Sequence, residues 1–311
     1  MLVFMFPGQS SADQGMIARA LARDPSSRTI ADRARRVLGA GASRYLDGPR
    51  VPLETNRDVQ VATFLATQMH LCALHHAGMD ADVSLGLSLG EYSHLVHIRA
   101  LEFEDALALV DARGRLYDES LHGVMVTVLG ATEDAVARVI ADAAPYGTVV
   151  ISNYNTPTQH VIAGEAPAVA WAADRLEEEH GAHTIVIEQR VPMHSPLMDG
   201  VADRFRRCLE QAPWREAVRP YWPNLHAQAV MPARAPDFIA ALAAHVSHPV
   251  LWRRSIERIA ARDSEVTFVE VGPGEVLHNM LGRHWLPVRR ARTDVAHAWW
   301  AEGASVDTIR A

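Results

Sequence analysis

The apolar positions of this chain follow two periods. Residues 2–6, 124–129 and 266–271 form short runs that are mostly apolar, which predicts buried strands. Longer segments repeat apolar residues every three or four positions, which predicts helices at residues 61–76, 101–117, 198–212, 236–246 and 252–262. Because these strands and helices are interspersed along the chain, the pattern indicates an α/β fold.

A G-x-S-x-G sequence occupies residues 86–90, between a short apolar run at 81–85 and a predicted helix at 91–98. Strand, sharp turn and helix are the context in which this motif exposes a nucleophilic serine, here Ser88. The glycines permit the tight turn, and the helix N terminus directs N–H groups toward charge that develops nearby. A glycine-serine turn without chemistry is the alternative, but the flanking elements favour a nucleophile elbow.

The segment from about residue 125 to residue 190 has an order of its own, namely strand, helix, strand, strand, helix and strand. This is the order of a ferredoxin-like unit. Because the segment lies between the elbow and a later α/β region, we expect a small ferredoxin-like domain at 125–191. It is inserted into a large α/β domain, hydrolase-like with a parallel sheet, which comprises residues 1–124 and 192–311.

Four further motifs follow one another along the chain. They are Phe6-Pro7-Gly8-Gln9-Ser10, Asn153-Tyr154-Asn155-Thr156-Pro157, Val191-Pro192-Met193-His194-Ser195-Pro196-Leu197-Met198 and Val269-Glu270-Val271-Gly272-Pro273-Gly274. Together with residues 86–91 they resemble the malonyl-CoA:acyl-carrier-protein transacylase family, whose pattern is shared by the acyltransferase domains of polyketide and fatty acid synthases. The resemblance extends from residue 3 to about residue 285, which is nearly the whole chain.

This resemblance implies that Ser88 is the acylated nucleophile and His194 its general base. A base is needed because a serine hydroxyl is too weakly acidic to attack a thioester unaided. The resemblance also implies an oxyanion hole made by the backbone N–H groups of Gln9 and Leu89. The imidazole would be oriented by the backbone carbonyl of His245, at a position where family members usually carry glutamine.

Arg113 lies on the predicted helix at 101–117 and matches the family arginine that binds the free carboxylate of the malonyl group. A guanidinium suits this task because its planar fork pairs with both carboxylate oxygens. Three further residues are expected in the acyl pocket. Leu87 replaces the usual histidine, Met193 replaces a frequent phenylalanine, and Asn155 is the third. Leu87 and Met193 make the expected pocket more apolar.

These two replacements leave a second function open. Proofreading acyl hydrolases of trans-acyltransferase polyketide pathways resemble the Gly-Leu-Ser-Leu-Gly-Glu form of residues 86–91, but they tend to lack the arginine. A carboxylate substrate requires a cationic partner, so Arg113 favours the transferase. A non-catalytic docking protein with the same fold is a third reading, against which Ser88, His194 and Gln9 argue.

Composition excludes several classes of function. The net charge of −7 gives no basic face for nucleic acid. All 30 basic residues are arginine, so Schiff-base chemistry and a phosphate-binding lysine are excluded. Cys72 and Cys208 lie far apart in helix-like segments, which predicts no disulfide and a cytoplasmic setting. No apolar run approaches the length of a membrane span.

We therefore expect an acyltransferase that moves a malonyl-type group from coenzyme A to the phosphopantetheine thiol of an acyl carrier protein. The reaction would be ping-pong, through an acyl group on Ser88. We expect no metal and no cofactor beyond the CoA thioester, which is a substrate. The expected partner is the acyl carrier protein, with neither nucleic acid nor membrane, and the protein is expected to be a monomer.

Overall fold

The computed structural model of this protein describes residues 1–120, 122–282 and 285–295. Its strands are β1 Leu2–Phe6, β2 Val83–Gly86, β3 Val124–Leu129, β4 Val149–Thr156, β5 Gln159–Gly164, β6 His183–Glu188, β7 Thr267–Glu270 and β8 Arg289–Arg292. Its helices are α1 Met16–Arg23, α2 Ser27–Leu38, α3 Ser43–Leu46, α4 Asn56–His76, α5 Gly90–His97, α6 Phe103–Asp118, α7 Glu133–Asp142, α8 Ala166–His180, α9 Asp199–Glu210, α10 Ala235–His245, α11 Trp252–Ala260 and α12 Val276–Leu281.

The larger domain is built on a parallel sheet with the strand order β2-β1-β7-β8. Strand β1 is buried on both faces. Val3 and Met5 pack into one apolar cluster, while Phe4 and Phe6 pack into another. Helices cover both sides of such a sheet, and this explains why β1 is apolar at every position rather than at alternate ones.

The smaller domain is built on an antiparallel sheet with the strand order β4-β5-β3-β6. Helices α7 and α8 pack on one face of this sheet, where Val126, Val128 and Ile162 meet Val136 and Leu176. The observed order of elements is the one that the sequence predicts. The predicted fold class, a large α/β domain with an inserted ferredoxin-like domain, is confirmed, whereas the boundaries at residues 125 and 191 stay a prediction.

The two domains are joined at one edge of the smaller sheet. The N–H of Tyr154 on β4 donates to the carbonyl of Val250 at 2.9 Å, and the N–H of Val250 donates to the carbonyl of Ser152 at 2.9 Å. These bonds extend the edge of β4 into the loop that precedes α11. The other face of the smaller sheet is thereby held over the carboxyl end of the larger sheet.

Two regions differ from the sequence pattern. Helices α1 to α3 were not predicted, although they bury large apolar side chains such as Met16, Ile17 and Tyr45. In α2 the buried side chains are Ser27, Ile30, Ala31 and Ala34. Strand β8 was not predicted either, since its Arg-Arg-Ala-Arg sequence has no apolar run. It becomes a strand by pairing with β7. Within the described part of the chain, no helix combines the length and apolar character needed to cross a membrane.

Candidate active site

Ser88 lies in the turn between β2 and α5, with its backbone in the left-handed region at φ +49°. The two glycines that flank it leave space for this turn. A Cβ on Gly86 would lie 2.0 Å from the carbonyl carbon of Gly90, and a Cβ on Gly90 would lie 2.0 Å from the carbonyl oxygen of Phe6. No other residue fits at either position, so the motif has the steric requirement that an elbow predicts.

Asn224 holds this turn, and no sequence motif predicts its part in the site. Its Oδ1 accepts a hydrogen bond from the N–H of Ser88 at 2.9 Å, and its Nδ2 donates to the carbonyl of Gly86 at 2.6 Å. Asn224 is itself buried. One side chain thus satisfies two backbone groups of a conformation that a non-glycine residue adopts at some cost.

The imidazole of His194 faces the serine. Its Nε2 lies 2.8 Å from Oγ of Ser88, and its Nδ1 lies 2.7 Å from the carbonyl oxygen of His245. A carbonyl only accepts, so Nδ1 carries the proton and Nε2 accepts from the serine hydroxyl. Burial, together with the nearby charge of Arg113, lowers the pKa of His194 to about 3, which keeps the imidazole neutral.

The loop that carries His194 is fixed at both the backbone and the ring. His194 has φ +60°, and its N–H donates to the carbonyl of Val246 at 3.1 Å. The ring of His245 stacks on the ring of His194, with 4.6 Å between centroids and 23° between planes. His245 therefore contacts His194 with its side chain as well as with its carbonyl group.

Behind this pair lies Glu91, which is completely buried. Its carboxylate accepts from the hydroxyl of Tyr221, and its Oε2 lies 3.2 Å from Nδ1 of His245. Burial raises the pKa of Glu91 to about 7. The first turn of α5 thus contains an acid that contacts His245. Because His245 in turn contacts His194, a single residue separates this acid from the imidazole of His194.

Arg113 lies on α6 with only 2% of its surface exposed. Its Nη1 donates to Oε1 of Gln60 at 2.8 Å, and its Nη2 lies 3.4 Å from Oγ of Ser88. The guanidinium also lies over the ring of Tyr117, 4.3 Å from the centroid. Among the described residues, no carboxylate pairs with it. A buried cation that forms no ion pair is unfavourable, so this position is suited to an anion that arrives from outside.

Gln9 begins the short 3-10 turn Gln9–Ser11 that follows β1. Its backbone N–H and that of Leu89 donate to no other group in the part of the chain that is described. A Cβ on Gly8 would lie 3.0 Å from the carbonyl oxygen of Leu87, so the turn lies directly against the elbow. Two free N–H groups beside a nucleophile are what an oxyanion hole requires.

A cavity of about 420 Å³ opens onto Ser88 and lies between the two domains. The large domain contributes walls that include Gln9, His194, Leu87 and Met193, and the open face of the smaller sheet contributes Met125, Thr127, Asn153, Asn155, Gln159 and Val161. Of the pocket residues expected from the sequence, Leu87, Met193 and Asn155 all line this cavity. Arg113, Leu89 and His245 do not line it but lie behind Ser88 and His194.

A second group of side chains brings potential metal ligands together. Nitrogen and oxygen atoms of His75, Asp80 and His97 lie within 4.8 Å of one another. The carboxylate of Asp80 also accepts from the guanidinium of Arg219. That positive charge opposes the approach of a cation.

Both ring nitrogens of His97 are already engaged in hydrogen bonds. The N–H of Trp222 donates to Nε2 of His94 at 3.1 Å, so His94 carries its proton on Nδ1, which faces Oγ of Ser84 at 2.7 Å. The Ser84 hydroxyl then donates to Nδ1 of His97 at 2.8 Å, and Nε2–H of His97 donates to Asp80 at 2.7 Å. A metal ion on His97 would break this chain, so we interpret the group as structural.

The family described as the acyl transferase domain matches residues 3–291 of this chain. The chain belongs to this family. The malonyl CoA-acyl carrier protein transacylase of Bacillus subtilis is 31% identical over 285 residues, which cover 90% of this chain and 89% of the relative. The crystal structure of FabD from Acinetobacter baumannii has a TM-score of 0.88 to this protein at 28% identity. The alignment covers 99% of this chain and 97% of the FabD chain.

A further solved structure is a complex with a carrier protein. It contains a malonyl-transacylase, PlMCAT, bound to the holo form of AntF, a type II polyketide synthase acyl-carrier protein. The transacylase chain has a TM-score of 0.86 to this protein at 28% identity, with coverage of 96% and 97%. The family expected from the sequence motifs is thus confirmed.

Proposed function

We propose that this protein transfers a malonyl group from coenzyme A to the phosphopantetheine thiol of an acyl carrier protein. The observation that carries the proposal is the buried guanidinium of Arg113, which forms no ion pair among the described residues and lies beside the hydrogen-bonded pair of Ser88 and His194. The named activities of the relatives support it, as does the structure of a similar enzyme with its carrier protein.

In the first half-reaction, Oγ of Ser88 gives its proton to Nε2 of His194 and attacks the thioester carbonyl carbon. The carbonyl oxygen becomes an oxyanion, which the N–H groups of Gln9 and Leu89 stabilise. Each such donor contributes about 3–4 kcal/mol to a transition state of this kind. The carbon–sulfur bond then breaks, the coenzyme A thiolate takes the proton from Nε2, and the acyl group remains on Ser88 as an ester.

In the second half-reaction, the carrier thiol gives its proton to Nε2 of His194 and attacks the carbonyl carbon of the ester. The same two N–H groups hold the oxyanion. When the intermediate collapses, Oγ of Ser88 leaves and recovers its proton from Nε2. The carbonyl of His245 keeps the proton on Nδ1 in both halves, so one imidazole acts first as base and then as acid.

Arg113 provides the choice of acyl group in this proposal. A malonyl ester on Ser88 brings a free carboxylate toward the guanidinium, whose Nη2 already lies 3.4 Å from Oγ. The carboxylate can form an ion pair with this guanidinium, which no carboxylate of the described residues does. Gln60 orients the guanidinium through the 2.8 Å bond to Nη1, and it is a positioning residue for this contact.

The reaction as written uses only side chains and backbone groups of the protein, so the proposal includes no cofactor. We also place it in the cytoplasm. Cys72 and Cys208 are both free thiols, and this supports a reducing compartment.

The test is to incubate the protein with malonyl-CoA or acetyl-CoA and to measure the mass of the intact protein. We expect one malonyl group on the wild type, little acetyl group, and no acyl group on Ser88→Ala. His194→Ala should be acylated about 10²–10⁴ times more slowly, the usual effect of removing a positioned base. A stable acyl-enzyme on Ser88→Ala would refute the assignment of the nucleophile.

A further inference from the structure

Strand β6 leaves an apolar segment in contact with solvent. The strand order places β4 and β6 at the two edges of the smaller sheet, and β4 is joined to the large domain. Within the described residues, no strand pairs with the outer edge of β6. Its central residues Ile185, Val186 and Ile187 are 43%, 51% and 46% exposed. Native proteins usually protect such an edge with charged residues or a covering element.

One face of β6 is on the cavity side of the smaller sheet, and the other is on the side of α7 and α8. Ile185 lies opposite Thr127 in the pairing of β3 with β6, and Thr127 lines the cavity. Ile187 lines the cavity itself, at the point where the pairing of β3 with β6 shifts register between Val126 and Met125. Val186 lies opposite Val126, which belongs to the core under α7 and α8. The apolar wall of the cavity therefore continues along Ile185 and Ile187 to the surface.

We propose that the cavity-side face of β6, defined by Ile185 and Ile187, is the docking surface for the acyl carrier protein. This inference rests on the proposed function. The carrier's phosphopantetheine arm must enter the cavity at its mouth, where Ile187 is half exposed, so the body of the carrier must cover that mouth. An apolar patch on the carrier beside the root of the arm would pack on Ile185.

The same geometry argues against a second copy of this chain as the occupant. A subunit seated permanently on Ile185 and Ile187 would cover the mouth of the cavity and exclude the acyl donor. The carrier arrives and leaves with each acyl group, so the surface must be free between turnovers. A small patch of two side chains suits such a transient contact.

The experiment compares Ile185→Glu with Val186→Glu, which introduces the same charge on the same strand but on the opposite face. Acylation by malonyl-CoA is followed by the mass of the intact protein. The acyl-enzyme is then mixed with holo carrier protein or with free coenzyme A as the acceptor. We expect Ile185→Glu to slow transfer to the carrier at least about tenfold, while acylation and transfer to coenzyme A stay within about twofold of wild type.

Val186→Glu should leave all three rates near those of wild type. Ile185→Thr, which keeps the β-branched shape, should slow transfer to the carrier by a smaller factor and guards against misfolding of the charged variant. Equal effects of Ile185→Glu and Val186→Glu on transfer to the carrier would overturn the proposal. So would a wild-type dimer that Ile185→Glu dissociates. Failure of the wild type to become acylated by malonyl-CoA would instead refute the proposed function, and the docking surface with it.

Discussion

Ser88 and His194 both adopt a backbone conformation that side-chain-bearing residues seldom use, with φ of +49° and +60°. Each is held there by partners from distant parts of the chain. Asn224 bonds the elbow, and the carbonyl groups of His245 and Val246 bond the histidine and its loop. The strain places Oγ and Nε2 at 2.8 Å, so conformational energy of the backbone is used to orient the reacting atoms.

Replacing Asn224 with alanine should therefore impair both stability and chemistry. The change leaves the N–H of Ser88 and the carbonyl of Gly86 without this partner, and each such buried group costs about 1–3 kcal/mol. We expect a lower free energy of unfolding in urea and acylation by malonyl-CoA that is at least about tenfold slower. Asn279→Ala, at an exposed position, is the matched control. Unchanged acylation in Asn224→Ala would show that the turn at Ser88 keeps its conformation without Asn224.

Arg113→Ala should separate acyl groups by their charge. The variant loses a charge-assisted contact in a buried site. This should raise the activation free energy of acylation by malonyl-CoA by roughly 2–5 kcal/mol, so the reaction becomes slower. Butyryl-CoA has no carboxylate, so its rate should change much less. The measurement is kcat/KM for both thioesters in wild type, Arg113→Ala and Arg113→Lys. An equal loss for both thioesters would mean that Arg113 acts on Ser88 alone.

At the scale of elements, α4, α5 and β2 enclose several histidines that are neutral in the folded protein. His70 on α4 is buried, and burial lowers its pKa to about 4. The Asp294 carboxylate opposes this shift, while the cations Arg23 and Arg19 reinforce it. His94 and His97 on α5 also have lowered pKa values because they are buried. The packing of these elements thus requires uncharged imidazoles.

His70 should make the protein less stable in acid. Its pKa is lower in the folded state, so its contribution is complete above about pH 6.5, where both states are neutral. Below that value the unfolded chain binds the proton first, and stability falls by up to about 3 kcal/mol as the pH approaches 4. His70→Leu should flatten the decline in the free energy of unfolding between about pH 6.5 and 4, whereas His76→Leu at an exposed site should not.

This comparison must be made between variants, because buried acids act in the opposite direction. Burial raises the pKa of both Glu91 and Glu270 to about 7. The folded protein therefore holds protons that the unfolded chain releases, and this contribution is lost as the pH rises from about 4.5 to 7. Parallel curves for wild type and His70→Leu would contradict the role assigned to His70.

The sequence predicted elements well where burial is two-sided or where a stripe of apolar residues is wide. The predicted helix at 236–246 is observed at Ala235–His245, and the predicted strand at 266–271 is observed at Thr267–Glu270. Strand β8 was not predicted from the sequence, because its pairing with β7, rather than its side chains, makes it a strand. A local pattern contains no information about such a partner.

The site shows the same division. The family resemblance predicts Ser88, Gln9 and His194 as site residues, because each lies within a short run of residues that matches a family motif. Asn224 and the ring of His245 reach the site from loops and helix ends with no periodic or motif signal. Their importance comes from contacts across 136 and 51 positions of sequence, which only the folded chain brings together.

At the scale of the whole molecule, the cavity belongs to neither domain alone. Ser88 and Met193 face side chains of the smaller sheet such as Thr127 and Val161 across about 420 Å³. The seam between β4 and Val250 fixes the distance between these walls. The size of acyl group that fits is therefore set by side chains at the junction, and Met193 is a flexible one beside His194.

Met193→Phe should narrow this cavity and sharpen its selectivity. The rigid, larger ring fills space that methionine can vacate, so acylation by butyryl-CoA should fall at least about tenfold while malonyl-CoA, anchored at Arg113, is affected less. The two thioesters are compared in competition, and the fate of each acyl-enzyme is scored separately as transfer to holo carrier protein or as hydrolysis. Met125→Leu, a volume-conserving change on the opposite wall, is the control. If wild type prefers butyryl-CoA and passes the acyl group mainly to water, the protein is a thioester hydrolase, and the apolar character of Leu87 and Met193 outweighs the charge of Arg113.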